Sequence, residues 1–381
     1  MPQSPKTPLA VLAGVGALVA LAACDNAGST AGSPGAGGPI KVEASDTACA
    51  VATSTANAGN LTFEITNKGS KVTEFYLYAE GDRIMGEVEN IAPGLNRRLI
   101  VEVPDAGKYQ TACKPGMVGD GIRGDFTVTG GAAKQNDVNA QKSEATKSYA
   151  TYIANNTSAL ETETAKFVDT VKAGKVDEAK AQYATTRTYY ERIEPVAEKF
   201  GDLDPLIDVR EADLTPGQQF TGFHRLEKDL WVTGLKPDSG QVADKLLTDV
   251  KDLVTKTKTL QLTALDLANG AKGLLDEVAT GKITGEEETF SHTDLWDFQA
   301  NVDGSKGAIA ALRPILQERD PALVSTLDKQ FANVQTLLDK QRNGDGFKYY
   351  NQLSPDEIKA FASAVDALSE PLSKVAEVVS K

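Results

Sequence analysis

Histidine is nearly absent from this chain: 381 residues contain two, His224 and His292, beside three cysteines, three methionines and two tryptophans. Neither histidine falls in the first half of the chain, so that half cannot assemble the trigonal His₂Cys site of a blue-copper protein. Positive charge is also in short supply. Lysine and arginine number 40 against 53 aspartates and glutamates, and the net charge of −13 argues against a nucleic-acid partner and for solubility or attraction of cations. Beyond the N-terminal segment no apolar run approaches the roughly 20 residues a membrane span requires.

That N-terminal segment reads as a lipoprotein signal over residues 1–23. A short leading region with Lys6 precedes an apolar stretch from Leu9 to Ala20, and Leu21-Ala22-Ala23-Cys24 places small residues before a cysteine. The expected result is cleavage and lipid attachment at Cys24, leaving an exported protein tethered to the outer face of the cell membrane. Residues 24–40, rich in Gly, Ser, Ala and Pro, cannot bury enough surface to order themselves and read as a flexible tether.

Composition changes character near residue 131. Residues 41–130 carry period-two runs, among them Leu61 to Thr66, Glu74 to Tyr78, Arg98 to Val103 and Asp125 to Thr129, separated by Gly-, Asn- and Pro-bearing turns. This pattern predicts a small antiparallel β-sandwich. Residues 131–141 read as a linker. From 142 to 381 apolar residues recur at three and four, as in Tyr149, Tyr152, Ile153 and Leu160, which predicts an all-α bundle of seven or eight helices without a strand. Trp231 and Trp296 read as core anchors.

Near the end of the β-rich part stands Tyr109 to Val128, with a Tyr-x-x-x-Cys-x-Pro-Gly framework. Here the chain resembles a cupredoxin, whose last loop supplies Cys, His and Met ligands. The ligand set differs: Met117 stands where the loop His would be, Ile122 where the Met would be, and Glu74 near the slot of the upstream His. Two readings of the cysteines stay open. Cys49 and Cys113 form a disulfide, the default in an exported domain, or Cys113 joins Cys49, Glu74, Glu89 and Met117 in a second metal site for copper or iron.

In the helical part, His224 and Glu227 are three positions apart, so on a helix they share one face with Cβ atoms about 5–6 Å apart. Glu191 and Glu194 repeat the spacing. Phe220 to Trp231, with its His-x-x-Glu, resembles the imelysin-like family. Tyr189 to Glu211 and Thr284 to Ser305 add to the likeness. With the cupredoxin-like front and the Asn-Ile-Ala-Pro-Gly turn at 90–94, residues 41–381 resemble the exported iron-binding components of Efe-type iron-uptake systems. The resemblance implies a metal site at His224, Glu227, Glu191, Glu194, Asp208, Glu286 and Glu287. It also implies iron, Fe²⁺ or Fe³⁺, as cargo, with an EfeU-type permease and an EfeB-type haem peroxidase as partners. An oxygen-rich set with one imidazole suits such a cation. Arg225, Lys228 and Asp294 are candidates for an outer shell, and His292 for buttressing a helix start.

A zinc peptidase of the His-Glu-x-x-His type needs a glutamate beside its first histidine and a second histidine four positions on. Here Arg225 follows His224 and no second histidine is in place. A carrier is therefore favoured over a metallopeptidase, and a module binding acidic polysaccharides is the third class.

Overall fold

The computed structural model of the protein describes residues 38–130 and 136–381, with side chains in the second segment from residue 140. The expected signal segment, Cys24, nearly all of the tether and part of the linker lie outside the described residues.

Nine strands make the front part: β1 (Ile40–Ala44), β2 (Cys49–Val51), β3 (Thr55–Asn57), β4 (Gly59–Asn67), β5 (Thr73–Tyr78), β6 (Ile84–Ile91), β7 (Asn96–Val103), β8 (Gly107–Cys113) and β9 (Ile122–Thr129). They form two sheets, β2-β1-β4-β7 and β3-β9-β8-β5-β6. Alternation dictates the packing: Leu61, Phe63 and Ile65 of β4 turn inward, and Phe63 meets Phe75 and Phe126 of the opposite sheet at ring-centroid distances of 5.1 and 5.6 Å. Burying each such ring contributes about 1.5–3 kcal/mol. Most pairings are antiparallel, as expected, but β1 pairs with β4 and β3 with β9 in parallel. Between β2 and β3 the chain switches sheets, and that crossover makes the second parallel pair. β5 is buried on both faces, because Lys114 and Arg123 lie over the outward rings of Tyr76 and Tyr78.

The rest is helical: α1 (Asn136–Lys172), α2 (Val176–Glu191), α3 (Leu203–Asp208), α4 (Gly222–Lys228), α5 (Ser239–Thr257), α6 (Ala264–Thr280), α7 (Asp294–Arg319), α8 (Pro321–Lys340), α9 (Pro355–Leu372) and α10 (Val375–Ser380). Three of them, α3, α4 and α10, have only six or seven residues, too short for a 3.6-residue period to register in the sequence. A two-residue ladder, Arg342–Asn343 against Gly346–Phe347, is the one departure from the strand-free expectation among the described residues. Reciprocal capping boxes fix the starts of α6 (Thr263 with Asp266) and α9 (Ser354 with Glu357). One contiguous apolar core runs through the helical part, and Ile100 from β7 joins it. Trp231 and Trp296 are partly buried against that core, edge-on to Tyr183 and Phe347.

The sandwich sits on α6 and the 3₁₀ turn Glu194–Phe200. Asn269 donates to the Ile100 carbonyl at 2.8 Å, and Lys199 bridges the Ile84 carbonyl at 3.0 Å and Asp266 at 2.9 Å.

Candidate metal centre

Six segments converge on one buried polar cluster: the end of α2, the turn Glu194–Phe200, the end of α3, α4, the stretch Lys282–Thr293, and the first turns of α7 that follow it. A glycine sets the approach of α3 to α4. Gly222 has φ +76°, and a Cβ there would lie 2.1 Å from the Ile207 carbonyl oxygen. Thr221 donates to the Leu206 carbonyl at 3.1 Å, closing the same corner. The start of α4 therefore rests on the last turn of α3 and brings His224 beside Asp208.

The imidazole faces carboxylates on both sides. Nδ1 is 3.4 Å from Glu227 Oε2, while Nε2 is 3.5 Å from Asp208 Oδ1 and 3.7 Å from Glu287 Oε1. Nε2 is buried and has no hydrogen-bond partner. Burial and the nearby Arg187 oppose protonation of His224, but its contact with Glu227 and the charges of Glu287 and Asp208 carry its pKa up to about 9, so the protonated ring is ion-paired through Nε2 with both of the latter carboxylates. Glu227 is otherwise engaged: its Oε1 accepts from the backbone N–H groups of Phe290 at 2.9 Å and Ser291 at 2.7 Å. These two bonds fix the Glu227 carboxylate beside the ring.

Two fully buried cations hold the remaining acids. Arg187 pairs with Asp208 and Glu191, reaches Glu287 at 3.3 Å and Glu288 at 2.6 Å, and lies over the Phe223 ring. Lys282 contacts Glu194 at 2.7 Å, Glu191 at 3.1 Å and Glu287 at 3.6 Å. Burial would raise Glu191 and Glu287, but Lys282 with its cationic neighbours holds both below the ordinary carboxylate range. Burial and the adjacent Glu191 push Glu194 well above it. Burial also raises Asp297, whose two oxygens have no hydrogen-bond partner. Asn301 donates to Glu191 at 2.9 Å and to Glu194 at 2.7 Å, tying α7 to the same group.

Two triads have donor atoms within 4.8 Å of one another: Asp208, His224 and Glu287, and His224, Glu227 and Glu288. Only the first faces Nε2. Of the residues nominated from the sequence, His224, Asp208, Glu287, Glu191, Glu194 and Glu227 lie in or against the cluster. Glu286 does not join it; its side chain is 48% exposed and pairs with Arg210. Arg225 points away, to Asp229 and Asp238, and Lys228 pairs with Glu211. Asp294 accepts from the Glu288 N–H, bracing the turn. His292 sits in that turn at φ +60°, with its backbone bonded to Glu288 and Tyr350, outside both triads.

Sequence reasoning passed over Glu288, Arg187 and Lys282 as members of the cluster. The Glu286-Glu287-Glu288 run signals it, but only the fold shows that the buried members are the second and third.

A cavity of about 240 Å³ lined by Arg210, Glu211, Phe290, His224, Glu227 and Glu287 reaches two members of the first triad, His224 and Glu287. A larger one of about 940 Å³ lies between the sandwich and the helices, bordered by Glu87, Glu89, Glu194, Glu198 and Glu277.

In the front part Cys49 and Cys113 are joined in a disulfide, so neither sulfur offers a thiolate and the disulfide reading replaces the metal-site reading for both. Glu74 is buried and accepts from Tyr76 at 3.0 Å, Glu89 borders the larger cavity, and Met117 is exposed in a turn at φ +58°. Among the described residues no His, Cys, Asp and Glu donors of this part cluster within reach of one ion.

A sandwich followed by helices around a His–carboxylate cluster defines a cupredoxin–imelysin protein. The profile of the family described as Imelysin matches residues 145–375, and that of the Cupredoxin-like domain matches residues 14–128. Proteins named "Iron uptake system component EfeO" from Escherichia coli O157:H7, Escherichia coli K12 and Shigella flexneri are each 40% identical to the chain over 346 residues, 89% of this chain and 91% of the relative. The chain belongs to the EfeO family. A solved auracyanin from Roseiflexus castenholzii is 18% identical and covers 25% of this chain and 100% of its own, with a TM-score of 0.22.

Proposed function

We propose that the protein is an exported iron-binding component of an Efe-type uptake system, which captures Fe²⁺ or Fe³⁺ at His224, Asp208 and Glu287 and passes it to an EfeU-type permease. The observation that carries this reading is the buried His224 Nε2 with carboxylate oxygens of Asp208 and Glu287 at 3.5 and 3.7 Å, close enough to converge but not hydrogen-bonded to the ring. A cation that takes the place of the ring proton would bring these three donors onto one ion. The relatives' name, iron uptake system component, supports iron as the cargo. Glu191 and Glu194 are the further oxygen donors next to that triad, and Glu227 orients the ring.

In this reading the chain is anchored by a lipid on Cys24, the segment ahead of β1 and the one ahead of α1 act as connectors, and an EfeB-type haem peroxidase works alongside. The disulfide takes both sulfurs of the sandwich out of any metal site there. A peptidase role fits poorly, because Arg225 occupies the position of the catalytic base and Glu227 is taken up by two backbone amides and the imidazole.

The test is calorimetric titration of the purified chain with Fe²⁺ under anaerobic conditions and with Fe³⁺ as a soluble chelate, repeated on His224→Ala and Asp208→Asn. Binding near one ion per chain at this site, lost in both variants, is the expected result; equal affinity in all three proteins removes the site.

A further inference from the structure

The two buried cations of the cluster are not equivalent. Arg187 projects from the body of α2, lies over Phe223 and is gripped by four carboxylates, so it is part of the frame. Lys282 comes from the three-residue 3₁₀ turn Lys282–Thr284, which Gly281 and Gly285 flank. Its Nζ is 2.7 and 2.8 Å from the two oxygens of Glu194, 3.1 Å from Glu191 Oε2 and 3.6 Å from Glu287 Oε1. An ammonium is a compact point charge on a flexible stem, unlike the planar guanidinium fork. Carboxylates converging on one such charge make a cation site, and here the occupant is the chain's own.

The position of that occupant matters. Glu194 and Gly281 border the 940 Å³ cavity, and Glu287 belongs to the His224 triad. The ammonium, itself fully buried, thus stands between the inner triad and Glu194, whose carboxylate reaches the acid-lined cavity.

We propose that Lys282 is a displaceable internal counter-ion: it neutralises Glu191, Glu194 and Glu287 in the metal-free protein and withdraws toward the cavity when a multivalent cation takes its place. The inference rests on the metal-binding reading above and adds how the site is kept folded, filtered and reversible. Without the lysine, among the described residues Glu194 would face no cation and Glu191 would keep Arg187 alone, so the lysine preserves the site between loads. A monovalent ion brings no more charge than the tethered ammonium and gains nothing by exchange, whereas a divalent or trivalent ion does. Because the lysine competes for the same oxygens, affinity is held below what the acids alone would give, which permits release to a partner.

The experiment uses the full chain with Mn²⁺ as the probe, an oxygen-seeking divalent ion that is stable in air. The protein is treated briefly with an amine-acylating reagent, with and without saturating Mn²⁺, and modification of Lys282 is read by peptide mass mapping. The expected result is a lysine protected in the metal-free chain and modified at least fivefold faster in the loaded one. In parallel, Lys282→Gln is expected to bind Mn²⁺ about tenfold more tightly than the wild type and to lose discrimination against Na⁺. Equal protection of Lys282 with and without metal overturns the proposal, as does unchanged or weaker Mn²⁺ affinity in Lys282→Gln. Such results leave the metal-binding reading standing if the wild type binds Mn²⁺ and His224→Ala does not; a wild type that binds neither Mn²⁺ nor iron overturns both. The acylation arm uses the unaltered protein, so it decides even if the variant does not fold.

Discussion

His224 and Glu227, three residues apart on α4, meet through Nδ1 and Oε2 at 3.4 Å, and this contact turns Nε2 toward Asp208. In the proposed site this contact makes His224 the ligand and Glu227 the residue that orients it. Glu227→Gln is therefore expected to retain metal with an affinity about 10–100-fold lower, the usual cost of losing an outer-shell partner. Asp208→Asn removes a donor of the triad itself and is expected to lose more. Titration of both variants distinguishes the roles, and an equal or larger loss in Glu227→Gln would make Glu227 a direct ligand.

Arg187 is the internal brace of the cluster. Replacing it with Met leaves Asp208, Glu191, Glu287 and Glu288 buried without their common partner. Removal of one side of a buried ionic group costs about 3–5 kcal/mol. Arg187→Met is expected to unfold at much lower denaturant concentration in the metal-free state, and added multivalent cation is expected to restore more stability than it gives the wild type. Arg187→Lys recovers little, since an ammonium cannot span four carboxylates.

The bridge between Cys49 and Cys113 closes a loop of sequence separation 64 across the sandwich, joining β2 to the end of β8. For a loop of that length the chain-entropy account gives about 4 kcal/mol. The Cys49→Ser, Cys113→Ser double variant is expected to lose that stability in the sandwich, seen as an earlier unfolding step, with metal affinity of the helical part unchanged. Loss of metal binding in that variant would reinstate a role for the sulfurs.

How far the sequence reveals this molecule follows from what each pattern encodes. A strand such as β4 announces itself because one face is apolar and the other more polar; β7 hides Ile100 of its outer face against the helices and β5 its outer rings under Lys114 and Arg123, which only the fold shows. Histidine scarcity singles out His224. It cannot distinguish Glu286 from Glu288, because three consecutive glutamates in a turn have no periodicity to read. Arg187 looks like a partner on a solvated helix face when seen beside Glu191 alone. Its burial arises from α7 and the Glu287–Glu288 turn, about 100 residues distant in sequence, as the separation of Arg187 and Glu287 records.

The acids between the sandwich and the helices give stability a pH dependence of definite sign. Burial, with Glu74, Glu277 and Glu198 facing it and Lys114 opposing, raises the Glu89 carboxyl from its ordinary 4.5 to about 8. A carboxyl raised by folding contributes stability that is complete below its unfolded value and is lost as pH rises through the folded one. Unfolding temperature is expected to fall as pH rises from about 5 to about 9. Glu89→Gln, which cannot ionise, is expected to be more stable than the wild type at the alkaline end and no more stable at the acid end. Parallel curves for the two proteins would place the proton elsewhere.

The corner made by Gly222 links backbone to chemistry most directly. At φ +76° an added Cβ is strained in itself, and it would stand 2.1 Å from the Ile207 carbonyl oxygen, which is backbone and cannot swing aside. Gly222→Ala must therefore lift the start of α4 from the end of α3. Those two helix ends carry His224 and Asp208, whose 3.5 Å separation defines the triad. Backbone strain of this kind costs of order 1–3 kcal/mol, too little to unfold a chain of this size but enough to separate the two donors. The expected outcome is a folded variant with native circular dichroism, a modest drop in unfolding temperature and metal affinity reduced at least tenfold. Wild-type affinity in a folded Gly222→Ala would mean that Asp208 and His224 do not hold the ion together.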